Sequence, residues 1–373
     1  MRVLTLNAGS SSLKASLIDD GRTVATANVP SDGTHDGSVV AAAIDATGAT
    51  GIGVDAIGHR VVHGGDDLVA PARIDDEVIE RIRALSALAP LHNDPALATI
   101  RSARSLIPDR PHVACFDTAF HARLPEVARR YPVPEQWRTR WGIRRFGFHG
   151  LSVEWSVRRA QDLLGRAARG LDLVVAHLGS GCSVTATAGG ESAWTSMGFT
   201  PLDGLMMRTR SGAIDPGIII HLLRRGDLSL DGLADALEHR SGLVAVGGHG
   251  GDVRELQEAA DEGDERAALA LDLFAASAAG AIAFAATRLE RLDAVVFTGG
   301  IGEHAGPVRA TIARRLAILG IPTISDQESR DDRVIHPGPP AVLRVEARED
   351  LVIAEAVAAL VRADDAPLRS GPR

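Results

Sequence analysis

Aromatic residues are scarce in this sequence, at 3% of 373 residues, with one tyrosine, four tryptophans and eight phenylalanines. Cores must therefore be built from Ala, Val, Leu and Ile, and the stacked rings of single-strand nucleic-acid binders are not to be expected. Positive charge is short as well. A formal net charge of −8 sets the surface as a whole against phosphate backbones, so no nucleic-acid partner is expected and any anion site must be locally basic. Cysteine is limited to Cys115 and Cys182, without metal or redox spacing. Both fall in apolar strand patterns, which reads as buried thiols in a reducing cytoplasm. The sequence opens on a strand pattern, without the basic, apolar and small-residue series of an export signal. Its most apolar stretch, 269–286, contains Asp272 and reads as too short and alanine-rich to span a bilayer, so no membrane partner is expected.

What the sequence does hold is a set of glycine turns between short apolar runs. Asn7-Ala-Gly-Ser-Ser-Ser-Leu-Lys14 joins the runs 3–6 and 13–18. Such a turn can bring backbone N–H groups and serine oxygens onto a phosphate, with Lys14 as a mobile counter-charge. The pattern returns where the run 171–176 leads through His177-Leu-Gly-Ser-Gly181 into an alternating run. A third turn, Gly299-Gly-Ile-Gly302, follows the run 294–298 and precedes a helical pattern over 307–318. Two strand-turn-strand phosphate candidates, each early in its own half, and a strand-turn-helix suited to a nucleoside predict a duplicated α/β fold binding a nucleotide between the halves. The length allows two domains, each with its own core. With 45% hydrophobic and 24% charged residues, the composition is that of an ordinary globular enzyme.

Strands are expected over 56–62 and 113–116, the second ending at Asp117, and helices over 75–88 and 95–106, joined by a structured turn at 89–94. A helix over 152–164 takes Ser152 as its N-cap, and Asp215 with Pro216 opens another. Helices over 252–292 break near Gly263-Asp264. The polar stretches 31–38 and 325–340 read as loops, and the residues from 364 as a frayed tail.

Three stretches carry chemistry. Gly58-His-Arg60-Val-Val-His63-Gly-Gly65 sets an arginine in a strand beside a glycine pair. It is either a surface arginine or a planar fork for a carboxylate or phosphate. His59 and His63 lie on a strand without the helical His-Glu-x-x-His pattern, which argues against zinc. In Arg145-Phe-Gly-Phe-His149-Gly150, His149 is either a satisfied core residue or a ring offered to a ligand. The stretch 195–216 follows neither period and mixes small, apolar and basic residues, as active-site loops do.

These stretches, with Phe116-Asp-Thr-Ala-Phe-His121, Met197-Gly-Phe-Thr-Pro201, Thr209-Arg-Ser-Gly212, Asp215-Pro216 and Gly299-Gly-Ile-Gly-Glu303, resemble the acetate kinase family in order and through nearly the whole chain. The resemblance implies the duplicated, actin-like and ribonuclease H-like α/β kinase fold, with two lobes and a central nucleotide cleft. The lobes are expected at 1–118 with a returning helix over 352–373, and at 119–351. It also implies Mg2+ (or Mn2+), ATP or ADP as co-substrate, a small carboxylic acid as partner, and a homodimer. Carried over by residue, Asn7 and Glu349 would hold the metal, with Ser10, Ser12 and Lys14 lining the first turn. Arg60 and Arg210 would clamp carboxylate and phosphoryl, His149 would donate to the phosphoryl oxygens, and Asp117 would orient the nucleophile or an arginine. Val62, Leu91, Phe148 and Pro201 match the pocket for the methyl group. His177, Gly179, Ser180 and Gly181 match the second phosphate turn, and Asp252, Val253, Arg254, Gly300, Ile301 and Gly302 the adenosine site.

The implied reaction suits these residue types. A small carboxylate is already ionised near neutral pH, so its attack on a γ-phosphate depends on positioning and charge neutralisation rather than on a strong base. The sequence also departs from the family pattern at Ser180, Leu151, Val153, Arg208, Ala213 and His304. Arg208 adds positive charge beside the phosphates and raises pyrophosphate as another donor. Ala213 and Ser180 keep a non-catalytic, actin-like nucleotide switch as an alternative, and pocket volume leaves propionate or butyrate kinase as another. The activity that the resemblance implies first is reversible transfer of the ATP γ-phosphoryl to acetate, giving acetyl phosphate and ADP.

Overall fold

The computed structural model describes residues 1–9, 12–31, 34–325 and 331–364, with only the backbone at 90 and 91. It forms two compact units, Met1–Ala122 with Arg348–Arg373, and Arg123–Ala347.

The first unit is built on a sheet of β1 (Arg2–Ala8), β2 (Ser12–Asp19), β3 (Arg22–Pro30), β4 (Ala56–Val61), β5 (Ala72–Arg73) and β6 (His112–Phe116), in the order β3-β2-β1-β4-β6-β5. β1, β2 and β3 form an antiparallel meander, β1, β4 and β6 run parallel, and β5 closes the edge antiparallel. β6 is buried along its whole length and β4 at all but Arg60, as parallel strands covered on both faces are. Leu4, Leu6, Leu13, Leu17 and Ile57 pack with Val40 and Ile44 of the helix Gly37–Ala46. Val61 and Phe116 pack with Ile79, Ile82, Leu97 and Ile100 from two further helices, Asp76–Ala84 and Pro90–Leu106. The chain's last described helix, Glu349–Asp364, lies on β1 and β4. It comes so close that a Cβ at Gly58 would stand 2.4 Å from Ile353 Cγ2.

The second unit repeats the design. β7 (Asp172–Leu178), β8 (Cys182–Ala188), β9 (Glu191–Thr195), β10 (Ala294–Thr298), β11 (Arg333–His336) and β12 (Ala341–Arg344) form a sheet of order β11-β12-β10-β7-β8-β9. β7, β8 and β9 are an antiparallel meander, β7, β10 and β12 run parallel, and β11 is the antiparallel edge. Read from β9 to β11, this is strand for strand the arrangement of the first sheet. The expected duplicated α/β fold is present.

Four local expectations need correction. Residues 90–94 belong to the helix Pro90–Leu106, with Ala89 as its cap and Pro90 in its first turn, where a missing N–H does no harm. Asn93 on that helix exchanges hydrogen bonds with the His63 backbone, which draws the segment onto the end of β4. Ser152 does not cap its helix: Gly150–Leu164 starts two residues earlier, with His149 in the cap position. The stretch 325–340 contains β11, paired with β12. Finally, the helix Glu265–Ala286 has 22 residues and is long and apolar enough to cross a membrane by length and composition. It buries Ala270, Phe274, Ala278 and Ile282 and packs on β7, β8 and the helices Val253–Asp261 and Gly306–Arg315, as a core helix does.

Candidate functional site

In the first unit, four candidates meet at the ends of parallel strands. Arg60 stands near the end of β4, the element beside β1 that carries Asn7, and Asp117 directly follows β6. Arg60 Nε and NH2 donate to the two carboxylate oxygens of Asp117 at 3.0 and 2.6 Å, a planar fork. Arg60 NH1 donates to Asn7 Oδ1 at 3.1 Å and lies 3.4 Å from Glu349 Oε2. Asn7 Nδ2 donates to the same Glu349 oxygen at 2.9 Å. Asp117 is fully buried and Glu349 only 13% exposed, so the two acids desolvate and fix one guanidinium. Burial works against the charge on Arg60, but Asp117 and Glu349 outweigh it and raise the pKa. Burial raises that of the Glu349 carboxyl, with Arg60 and Lys14 opposing and Asp117 adding to the shift. Lys14 is the cross-strand partner of Asn7 and is exposed. Ser12 opens β2, and Ser10 lies outside the described residues. His59 and His63 do not form a pair: His59 Nε2 lies 3.0 Å from His112 Nδ1, while His63 Nδ1 accepts from the Gly65 N–H. Among the described residues, no group of three or more His, Cys, Asp or Glu side chains is arranged to hold a metal.

In the second unit, the β7–β8 turn gathers the other set. His149 sits in the left-handed region at φ 58°, a conformation that costs about 1–3 kcal/mol and clusters at active sites and ligand clamps. Its ring stacks on His177 with centroids 4.2 Å apart. Each ring is oriented through Nδ1, His149 by the Ser183 hydroxyl at 3.0 Å and His177 by the Ser152 hydroxyl at 2.8 Å. A Cβ at Gly181 would touch His149 Nε2 at 3.4 Å and Arg210 NH1 at 3.6 Å, and one at Gly179 would reach His177 Nε2 and the Gly300 amide at 3.7 and 3.9 Å. The turn, both histidines, Arg210 and the start of the helix Gly299–His304 are thus neighbours. Arg210 NH1 also donates to the Pro201 carbonyl at 3.4 Å, and burial lowers the pKa of Arg210. Beside them, burial pushes the Cys182 thiol up to about 12, which leaves it unreactive.

The remaining candidates are more scattered. Phe148 and Pro201 are buried in the second unit and Val62 in the first, and the Leu91 side chain lies outside the described residues. Asp252 caps the helix Val253–Asp261 and pairs with Arg254, while Val253 is 8% exposed. Gly300 is open, Ile301 partly buried, and Gly302 packs beneath β7 and β10. Arg208 links two of these groups, its amide donating to Ser180 O and its Nε to Gly250 O. The two orienting hydroxyls escaped the sequence reading in this role: Ser183 had only its place on an expected strand to mark it, and Ser152 was expected only as a helix cap.

Twin sheets of one strand order, with arginine and histidine gathered at their turns, define a protein of the duplicated, actin-like α/β class. The family model of the acetokinases matches residues 39–355. An acetate kinase from Deinococcus radiodurans is 47% identical over 315 residues, covering 83% of this chain and 79% of that protein. One from Streptomyces griseus is 42% identical over 398 residues, covering 96% of both. Among solved structures, a propionate kinase from Francisella tularensis has a TM-score of 0.86 at 33% identity, covering 96% of this chain and 99% of that one. The acetate kinase of Porphyromonas gingivalis has a TM-score of 0.85 at 29% identity, with the same coverage. The chain belongs to the acetokinase family. It is a phosphotransferase with a carboxylate acceptor.

Proposed function

We propose that this enzyme moves the γ-phosphoryl of ATP in line to acetate, reversibly, giving acetyl phosphate and ADP. The observation that carries the reading is Arg60, held by Asp117 and Glu349 with one edge against Asn7. That arginine cannot act as a proton acceptor, and the buried Asp117 is fully engaged in orienting it. Such a cluster positions and neutralises anions, which is what transfer to an ionised acid requires. Arg210 and His149 supply the second cation and a hydrogen-bond donor, over the Gly179–Gly181 turn that takes the donor phosphates. Asn7 Oδ1 and the Glu349 carboxylate are hard oxygen donors, and two such ligands suit Mg2+, which keeps several waters and binds substrate phosphates. When bound, the ion neutralises charge on the phosphates.

Phe148 and Pro201 are proposed to take the methyl group, and the segments around Asp252 and Gly300 the adenosine, which favours ATP over pyrophosphate as donor. The buried thiols Cys115 and Cys182 support a reducing cytoplasm as the setting. A homodimer is supported by the helix Pro216–Arg225, which buries none of its residues although it carries three isoleucines and two leucines. Incubating the enzyme with acetyl phosphate and MgADP tests the reading by the reverse reaction. ATP should form, read by luciferase, and should be lost when ADP is omitted. No ATP from acetyl, propionyl or butyryl phosphate would overturn it.

A further inference from the structure

The loop that carries Pro201 and Arg210 has no helix or strand between Thr195 and Pro216, yet Met197, Leu205 and Met207 on it are fully buried. Something other than a ladder of backbone hydrogen bonds must hold it. The Arg145 guanidinium does so at one end, NH1 donating to the carbonyls of Thr195, Ser196 and Met197 at 3.2, 2.8 and 3.0 Å and approaching Asp203 Oδ2 at 3.4 Å. Tyr131, the chain's single tyrosine, does so across the middle: its hydroxyl donates to Asp203 Oδ2 at 3.1 Å and accepts from the Phe199 N–H at 3.0 Å. The Arg145 guanidinium lies over the Tyr131 ring, 5.1 Å from its centroid. Burial pushes the phenol up to about 12, so its proton is present at working pH. A Cβ at Gly198 would stand 1.9 Å from the phenolic oxygen and 2.3 Å from Asp203 Oδ2, so the glycine of Met197-Gly-Phe-Thr-Pro201 makes room for this brace. The next backbone amide after Arg145, that of Phe146, donates to Gly198 O at 3.0 Å, joining the stretch that leads to His149 to the same turn.

We infer that Arg145 and Tyr131 are positioning residues for the acid: by clamping 195–203 they fix the Pro201 carbonyl, and through it the Arg210 guanidinium, at the distance the acceptor needs. The inference rests on the acid-binding role given above to Pro201 and Arg210. Neither residue touches the reacting atoms.

Tyr131→Phe is the direct test, because it keeps the ring and deletes one oxygen. Hydrogen exchange of a peptide spanning 195–204 should speed up at Phe199 while the rest of the second unit is unchanged. This readout does not depend on any acid being turned over. In steady state, KM for acetate should rise about tenfold, as expected for losing one or two hydrogen bonds, with KM for ATP unchanged and the melting temperature nearly so. Arg145→Ala should show the same split more strongly, and where it fails to fold, Tyr131→Phe decides alone. Unchanged exchange at 195–204, or KM values for acid and ATP rising together, would overturn the inference. A wild-type enzyme that turns over no short acid, with exchange still faster in the variant, would instead overturn the acid-binding reading on which it rests.

Discussion

Arg60 lies between two carboxylates, and what its removal does follows from which of its neighbours are buried. If it stabilises transition-state charge as arginine fingers do, Arg60→Ala should lower kcat by roughly 10³- to 10⁵-fold. The same change leaves Asp117 buried without a counter-charge, which costs about 3–5 kcal/mol of stability. Asp117→Asn separates the two effects: it keeps the shape and removes one charge, so the protein should stay folded while kcat drops because the fork no longer holds the arginine. Thermal melts beside steady-state rates for both variants check this, and an Asp117→Asn enzyme with wild-type kcat would show that the fork is not needed. Arg60 was marked in the sequence by the glycine pair beside it, whereas Asp117 and Glu349, in motifs without glycine, were singled out only through the family resemblance. The brace of Arg145 and Tyr131 was not legible, since hydrogen bonds to loop carbonyls leave no spacing to read. A lone tyrosine was the only sign.

Two elements meet through glycine and histidine rather than through apolar pattern alone. The helix Glu349–Asp364 lies so close to β4 that Gly58→Ala would drive a methyl group into Ile353 and Val357. Overpacking of this kind costs about 1–3 kcal/mol. Because the displaced helix carries Glu349, kcat should fall with stability, measured by urea unfolding beside the rate. His59 of β4 and His112 of β6 stack with centroids 5.3 Å apart. Burial pushes both below the usual histidine pKa of 6.5, and His112 adds to the effect on His59. The folded state therefore resists protonation that the unfolded chain accepts. The stability this pair contributes is present above pH 6.5 and is lost as the pH falls below it. Melts at pH 7.5 and 5 should differ, and His59→Gln should narrow the difference. An unaltered pH response would assign it to other groups. Elements with a strong period were legible to within a few residues. The misreadings came where tertiary contact overrode local signals. The stretch 89–94 looked like a turn but is the cap and opening of a helix, and β11 is a strand through pairing with β12 rather than through its own composition.

At the scale of the whole molecule, the repeated strand order was foreseeable from two glycine hairpins at matching places in each half. The last described helix, Glu349–Asp364, lies on β1 and β4 of the first unit. The uncovered helix Pro216–Arg225 makes a prediction here. Ile218, Ile220 and Leu223 are 47%, 50% and 42% exposed, and sedimentation equilibrium should give a dimer that Ile218→Glu shifts toward monomer. A wild-type monomer at micromolar concentration would remove that proposal. The central claim, direct phosphoryl transfer to a small acid, is tested most directly by trapping the product. With ATP, Mg2+, acetate and hydroxylamine, acetyl hydroxamate should accumulate in step with ADP, one for one, and vanish without acetate. ADP released with no hydroxamate from acetate, propionate or butyrate would contradict the account.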